Sequence, residues 1–148
     1  MERALLLCLT AWLTTGCRAP ANGPPAASPQ GASYRAVTLQ LDRATYRPGQ
    51  AVRLTLTNER AAAYAYNPCT RVVQRRVGVE WHAAERDRIC TMEAWILPAG
   101  GAASASTTLP DDLLGGQYRI VLVLTAEGAA RETGTRVEAV SPTFEVAP

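Results

Sequence analysis

From Tyr34 onward the apolar residues of this chain recur at every second position, and that period dictates strands. Val37, Leu39 and Leu41 alternate with Thr38, Gln40 and Asp42; Val52, Leu54 and Leu56 alternate with Arg53, Thr55 and Thr57. Successive side chains of a strand point to opposite faces, so this pattern buries one face and wets the other, whereas a helix needs a period of 3.6. Between the two runs lies Tyr46-Arg47-Pro48-Gly49-Gln50. Proline fixes φ and glycine is free to take positive φ, which makes this a turn. The two runs are either a hairpin or a pair of strands passing from one sheet to another.

The same grammar continues to the C-terminus. Asn58-Glu59-Arg60 reads as a turn, and Ala62 to Tyr66 as a strand with Tyr64 and Tyr66 on one face, ended by Asn67-Pro68. Val72 to Trp81 holds a strand or hairpin with Val77, Val79 and Trp81 on one face, and His82 to Arg88 a charged loop. Cys90, Met92 and Ala94 alternate with Thr91, Glu93 and Trp95, so if the first three face the core, Trp95 faces out. Ala99-Gly100-Gly101 is a turn, Ala102 to Leu109 a Ser/Thr-rich strand, and Pro110 to Gly116 a corner. Tyr118 to Thr125 carries the strongest signal: Tyr118, Ile120, Leu122 and Leu124 face one way, while Val121 and Val123 are apolar on the other. Glu127 to Glu132 is polar and loop-like, and Thr143 to Val146 closes a sheet with Phe144 and Val146 inward. About seven short strands with turn signals every 8 to 12 residues predict an all-β, two-sheet sandwich. A small barrel is the alternative.

The N-terminus follows other rules. Met1-Glu2-Arg3 precedes an apolar run from Ala4 to Leu13, then Thr14-Thr15-Gly16-Cys17. A charged head, a short apolar stretch and a small-residue exit make a secretory signal over 1–16. The run is about half the roughly 20 residues a membrane-spanning helix needs. The cysteine after Gly16 resembles the lipidation point of bacterial lipoproteins, so Cys17 is expected to carry lipid. Leu13 lies four positions before Cys17 rather than the usual three, with Thr14 in its place. The alternative is cleavage after Ala19-Pro20-Ala21, which releases a soluble protein. Residues 17–33 follow as a Pro/Ala-rich linker with no aromatic and no large aliphatic residue, unable to fold and stiffened by proline. Residues 34–148 remain as one domain of about 115 residues, an ordinary size.

Cysteine parity agrees with export. Of Cys8, Cys17, Cys69 and Cys90, the first belongs to the signal and the second to the lipid. Cys69 and Cys90 are then the two thiols of the folded domain, and in an exported chain two leftover cysteines form a disulfide. They stand 21 positions apart, for which loop closure gives roughly 3 kcal/mol. Two buried free cysteines are the alternative.

Charge and motifs exclude more than they assign. All 15 basic residues are arginine and the net charge is +2. The arginines are scattered, so no nucleic-acid footprint is expected. His82 is the only histidine, and no serine stands in a nucleophile elbow. His82, Cys90 and Met92 lie close in sequence, but a blue-copper site needs two histidines and a free cysteine. Asp111-Asp112 lacks the six to eight oxygens that calcium takes. No catalytic residue, metal or cofactor is therefore expected. Trp81 and Trp95 flank the cysteine region and are the candidate partner-binding residues, because exposed tryptophan is enriched at binding hot spots.

Three segments carry a family resemblance. Tyr46-Arg47-Pro48-Gly49-Gln50 with the strand to Asn58, then Gly116-Gln117-Tyr118-Arg119-Ile120, then Pro142-Thr143-Phe144-Glu145-Val146 resemble the opening, late and closing strands of bacterial immunoglobulin-like domains. Leu113 to Tyr118 resembles the tyrosine corner of that fold. The antibody bridge is not implied, because the late strand carries no cysteine. The resemblance implies an immunoglobulin-like sandwich over about Val37 to Val146. With the signal, it implies a lipid-anchored binding or structural module of the bacterial cell envelope. Its expected partners are the membrane, through the anchor, and another envelope protein. A family of bacterial proteinase inhibitors resembles the same sandwich. It implies a second reading, in which Glu85–Ile89 or Ala99–Ala103 is presented to a peptidase.

Overall fold

A computed structural model describes residues 37–85, 88–128 and 135–148. The signal over 1–16, Cys17 and the linker over 17–33 lie outside the described residues. Eleven strand segments are described: β1 (Val37–Leu41), β2 (Thr45–Tyr46), β3 (Ala51–Asn58), β4 (Tyr64–Tyr66), β5 (Val72–Val77), β6 (Glu80–Ala83), β7 (Trp95–Leu97), β8 (Ala102–Thr108), β9 (Gly116–Ala126), β10 (Arg136–Val140) and β11 (Phe144–Val146). A short 3-10 turn spans Pro68–Thr70.

The strands form two sheets. The smaller is β1-β3-β8, antiparallel throughout, with Leu39 opposite Leu56 and Leu54 opposite Ala105. The larger is built around β9. Leu124 of β9 pairs with Tyr66 of β4 on one side and Val137 of β10 on the other, and Val121 likewise joins Val72 of β5 to Val140 of β10. Thus β4 and β5 run end to end along one edge of β9, with β10 and β11 along the opposite edge. Outside them, β7 pairs with β4, β6 with β5, and β2 runs parallel to β11. The first strand is therefore shared: β1 lies in the smaller sheet and β2 joins the last strand in the larger one. This is an all-β sandwich of immunoglobulin-like arrangement.

Alternation explains the core. Val37, Leu39, Val52, Leu54 and Leu56 of the smaller sheet are buried against Tyr64, Val73, Leu97, Tyr118, Ile120, Leu122 and Leu124 of the larger. Leu122 is fully buried, so Leu122→Ala would cost about 2–5 kcal/mol through lost transfer energy and the cavity left behind. One end of the sandwich is closed by aromatics: Phe144 meets Tyr46 edge-on at 5.3 Å and stacks on Tyr118 at 5.9 Å. The expected turn at Pro48-Gly49 is present, with Gly49 at φ +71 and the Gln50 amide donating to the Arg47 carbonyl. Proline followed by a positive-φ residue is the signature of a type II turn.

Buried polar groups are satisfied where the chain crosses between sheets. Asn58 is buried, and its side-chain amide donates to the carbonyls of Ala62 and Pro98 while its oxygen accepts from the Arg60 amide. One side chain thus ties the β3–β4 crossing to the turn before β8.

Four expectations are corrected. The strand count rises because Val72 to Trp81 divides into β5 and β6, and because β2 and β10 are additional. Val72 to Trp81 is a hairpin whose two-residue loop is Gly78-Val79, with Gly78 at φ +63. Val79 therefore stands 87% exposed at the tip and shares no buried face with Trp81. His82 and Ala83 belong to β6 rather than to a loop. Cys90 to Ala94 forms no strand: the chain joins the sheet only at Trp95, and Met92 is 80% exposed.

Candidate functional site

The outer face of the larger sheet is set by the residues of β9 that alternate with its core positions. These are Gln117, Arg119, Val121, Val123 and Thr125, and the run from Arg119 to Thr125 covers about 20 Å. Their neighbours on the same face follow from register: Gln74 beside Arg119, Val72 and Val140 beside Val121, Ala65 and Arg136 beside Thr125. Val121 is largely covered and Val123 is 40% exposed, so only the first of these two outward valines is buried.

At one end of this stripe the guanidinium of Arg119 lies 4.5 Å over the Trp81 ring, and its Nε donates to Gln74 Oε1 at 2.7 Å. Arg76 Nη1 donates to Gln117 Oε1 beside it. Trp81 reaches this face because Arg76 of β5 is opposite it in the β5–β6 hairpin. The guanidinium contact holds the indole on this face and leaves it partly exposed.

At the other end lies an open groove of about 520 Å³. Its floor is Val123, Thr125 and Ala65, and its rim is Tyr66, Asn67, Thr70 and the Cys90–Ala94 loop, with Glu93, Glu127 and Arg136 supplying charge. The rim is held by two cross-links. Cys69 and Cys90 form a disulfide with Cα atoms 5.7 Å apart. Asn67 Oδ1 accepts from the Cys69 amide, and Asn67 Nδ2 donates to the Thr91 carbonyl at 2.8 Å. A loop with no partner among the described strands is thereby fixed over the sheet. Disulfides persist in oxidising compartments, so this bond fits an extracytoplasmic location. No described helix is long and apolar enough to cross a membrane.

Beneath the same turn Arg71 is fully buried. Its Nη2 donates to the Thr108 carbonyl of β8, and its Nη1 lies 3.7 Å from Glu85 Oε1. Glu85 also accepts from the Val73 amide and from Arg88. Burial pushes Arg71 down to about 10, opposed by the Glu85 charge. This ion pair anchors the start of the loop whose far end is the disulfide. Burial likewise raises Tyr66 above its ordinary value.

The two tryptophans do not meet. Trp81 lies on the outer face, whereas Trp95 pairs with Tyr66 on the core-side face and packs edge-on against it at 6.2 Å between centroids. Trp95 is 40% exposed because β7 is the last strand at its edge. The outward residue of β7 is Ile96, 47% exposed. Alternation extended from Cys90 assigns Trp95 to the wrong face, since residues 90–94 are not in the sheet. The groove itself, and Val123 and Met92 in it, had no signal in the sequence beyond an apolar residue on the wet side of the strongest strand.

The other candidates stand apart. His82 Nε2 is 3.4 Å from Glu80 Oε2 on an exposed strand. The Cys90 sulfur is bonded to Cys69 and cannot act as a copper thiolate. No group of three metal-ligating side chains occurs among the described residues. Asp111-Asp112 is an exposed turn. Ala99–Ala103 is split between a tight turn, closed by the Gly101 amide on the Pro98 carbonyl, and the start of β8. Ile89 is fully exposed beside the disulfide.

No protein family and no curated protein matches the chain. Among solved structures, the sporulation control protein Spo0M from Bacillus subtilis aligns with a TM-score of 0.36 and 14% identity, over 74% of this chain and 47% of that one. The chain thus spans about half the length of Spo0M.

Proposed function

We propose that this protein is a non-catalytic, lipid-anchored module of the bacterial cell envelope that binds another envelope protein through the outer face of its larger sheet. The observation that carries the reading is the groove beside the disulfide. It combines exposed apolar side chains, Val123 and Met92, with a rim fixed by Cys69–Cys90 and the Asn67–Thr91 bond. A preorganised apolar surface loses little freedom when a partner docks, and so retains more of its contact energy. The Trp81–Arg119 stack extends this surface along β9. Export and anchoring are supported by the signal-like 1–16 segment, by Cys17 and by a disulfide suited to an oxidising compartment.

Two measurements test it. Fractionation of cells should place the protein with membranes and Cys17→Ser should release it; an unchanged distribution contradicts anchoring. In-cell cross-linking with mass spectrometry should recover one recurrent envelope protein. The second reading, proteinase inhibition, is favoured by one observation: Ile89 projects fully into solvent from a loop held by Arg71–Glu85 and the disulfide. Recovery of a single peptidase, with inhibition lost on Ile89→Asp, would put that reading first.

A further inference from the structure

We infer that β8 is a strand-pairing edge through which two copies of this chain join their smaller sheets about a two-fold axis. β8 pairs with β3 on one side, and no described strand pairs with its other side. Which backbone groups are free follows from two bonds at its ends. The Asn58 amide donates to the Gly101 carbonyl, and the Leu109 amide donates to the Gln50 carbonyl. Both odd-numbered positions face β3, and backbone groups alternate sides along a strand. The N–H and C=O of Ala102, Ser104, Ser106 and Thr108 therefore point away from β3. Arg71 confirms the parity independently, because it donates to the Thr108 carbonyl from outside.

Arg71 caps one end and leaves three outward-facing residues, Ala102, Ser104 and Ser106, centred on Ser104. Natural edge strands are blunted by charge, proline or a bulge. The sequence Ala-Ala-Ser-Ala-Ser-Thr-Thr of β8 has neither charge nor proline, and its pairing with β3 runs through all seven residues without a bulge. Lack of charge is what favours a second copy over a chain of different sequence. An antiparallel copy meets no like charge, and a set of three positions centred on Ser104 is its own complement under a two-fold. In that register Ser104 faces Ser104 of the other copy, and each Ala102 faces a Ser106. Three such pairs give about six backbone hydrogen bonds. The exposed side chains are small, and serine opposite serine can hydrogen-bond across the pair. The result is one continuous six-stranded sheet from two three-stranded ones. This edge is distinct from the groove on the larger sheet, so its failure leaves the proposed function standing.

The test is disulfide trapping of the full chain in cells, read on non-reducing gels. Paired residues of a two-fold register have Cα atoms roughly 5.5 Å apart, within disulfide reach. Ser104→Cys is expected to give a dimer containing only this chain, and Ala102→Cys, whose copies lie four residues out of register, is not. Ser104→Pro deletes an outward N–H without touching the β3 ladder, so it should leave the melting temperature nearly unchanged. Added to a separate trapping variant, Ser106→Cys with Ala102→Cys, it should abolish the dimer. Trapping by Ser104→Cys that is absent, equal to that of Ala102→Cys, or directed to a different protein would overturn the inference. So would a dimer that survives Ser104→Pro.

Discussion

The hydroxyl of Tyr118 donates to the backbone carbonyl of Leu114 at 2.6 Å, four residues back along the chain. Tyr118 is buried and stacks on Phe144, so this bond closes the corner that delivers the chain into β9. The central strand of the larger sheet thus starts from a fixed point. Tyr118→Phe keeps the ring and its packing but leaves the Leu114 carbonyl without this donor. The expected loss is about 1–2 kcal/mol, seen as a lower denaturant midpoint at unchanged m. An unchanged midpoint would mean that solvent replaces the bond.

A second tyrosine predicts the pH dependence. Tyr46 is buried, its hydroxyl donates to Asp42 Oδ1 at 2.9 Å, and it is pushed up to about 12, first by burial and then by Asp42. A tyrosine raised in the folded state loses its proton first in the unfolded chain. Its stabilisation is thus whole below about 10 and disappears as pH rises towards 12. Asp42 is lowered, chiefly by the Arg53 amide, so its contribution is present above the ordinary carboxylate value and is lost as pH falls through the folded one. Melting temperature against pH should fall at both ends. Tyr46→Phe should flatten the alkaline limb only in part, because the raised Tyr66 and Tyr118 remain in the variant.

Arg71 and Glu85 form a buried pair, and buried pairs respond unequally to single and double substitution. Glu85→Gln retains the shape but strands the Arg71 charge beneath the turn, at a cost of about 3–5 kcal/mol. Arg71→Met combined with Glu85→Gln removes both charges and should be more stable than Glu85→Gln alone. A double-mutant cycle from urea denaturation checks this, and additive effects would show that the two side chains do not interact.

Much of this fold was legible in the chain because alternation is a direct print of burial. Val37 to Leu41, Ala51 to Asn58 and Gly116 to Ala126 lie where the period of two put them, and their core faces follow. The Cys69–Cys90 bond was legible by parity. β10 was not, since Val137 and Ala139 alternate weakly after a polar loop and their burial depends on β9 alongside. Residues 90–94 alternate as a strand does, yet no described strand pairs with them. Alternation reports a preference for one face, and pairing needs a neighbour that a local pattern does not contain. The same gap hid the groove: the Val123 side chain was visible as apolar on the outer face, but the loop and disulfide that frame it come from chain positions far from β9.

The disulfide should matter for both stability and the groove. Cys69→Ala with Cys90→Ala opens a loop of 21 residues, with an expected loss of roughly 3 kcal/mol. The Asn67–Thr91 bond alone then holds the rim. Thermal melting gives the first effect, and hydrogen exchange at residues 90–94 gives the second as faster exchange than in the parent.

The central claim is that the groove on the larger sheet is where a partner binds. A photo-reactive residue at Val123, inside the groove, should cross-link one envelope protein in living cells. The same residue at Val79, 87% exposed on the hairpin tip, should not. Equal capture at both positions, or none at Val123 with the protein folded and at its normal level, would contradict the account.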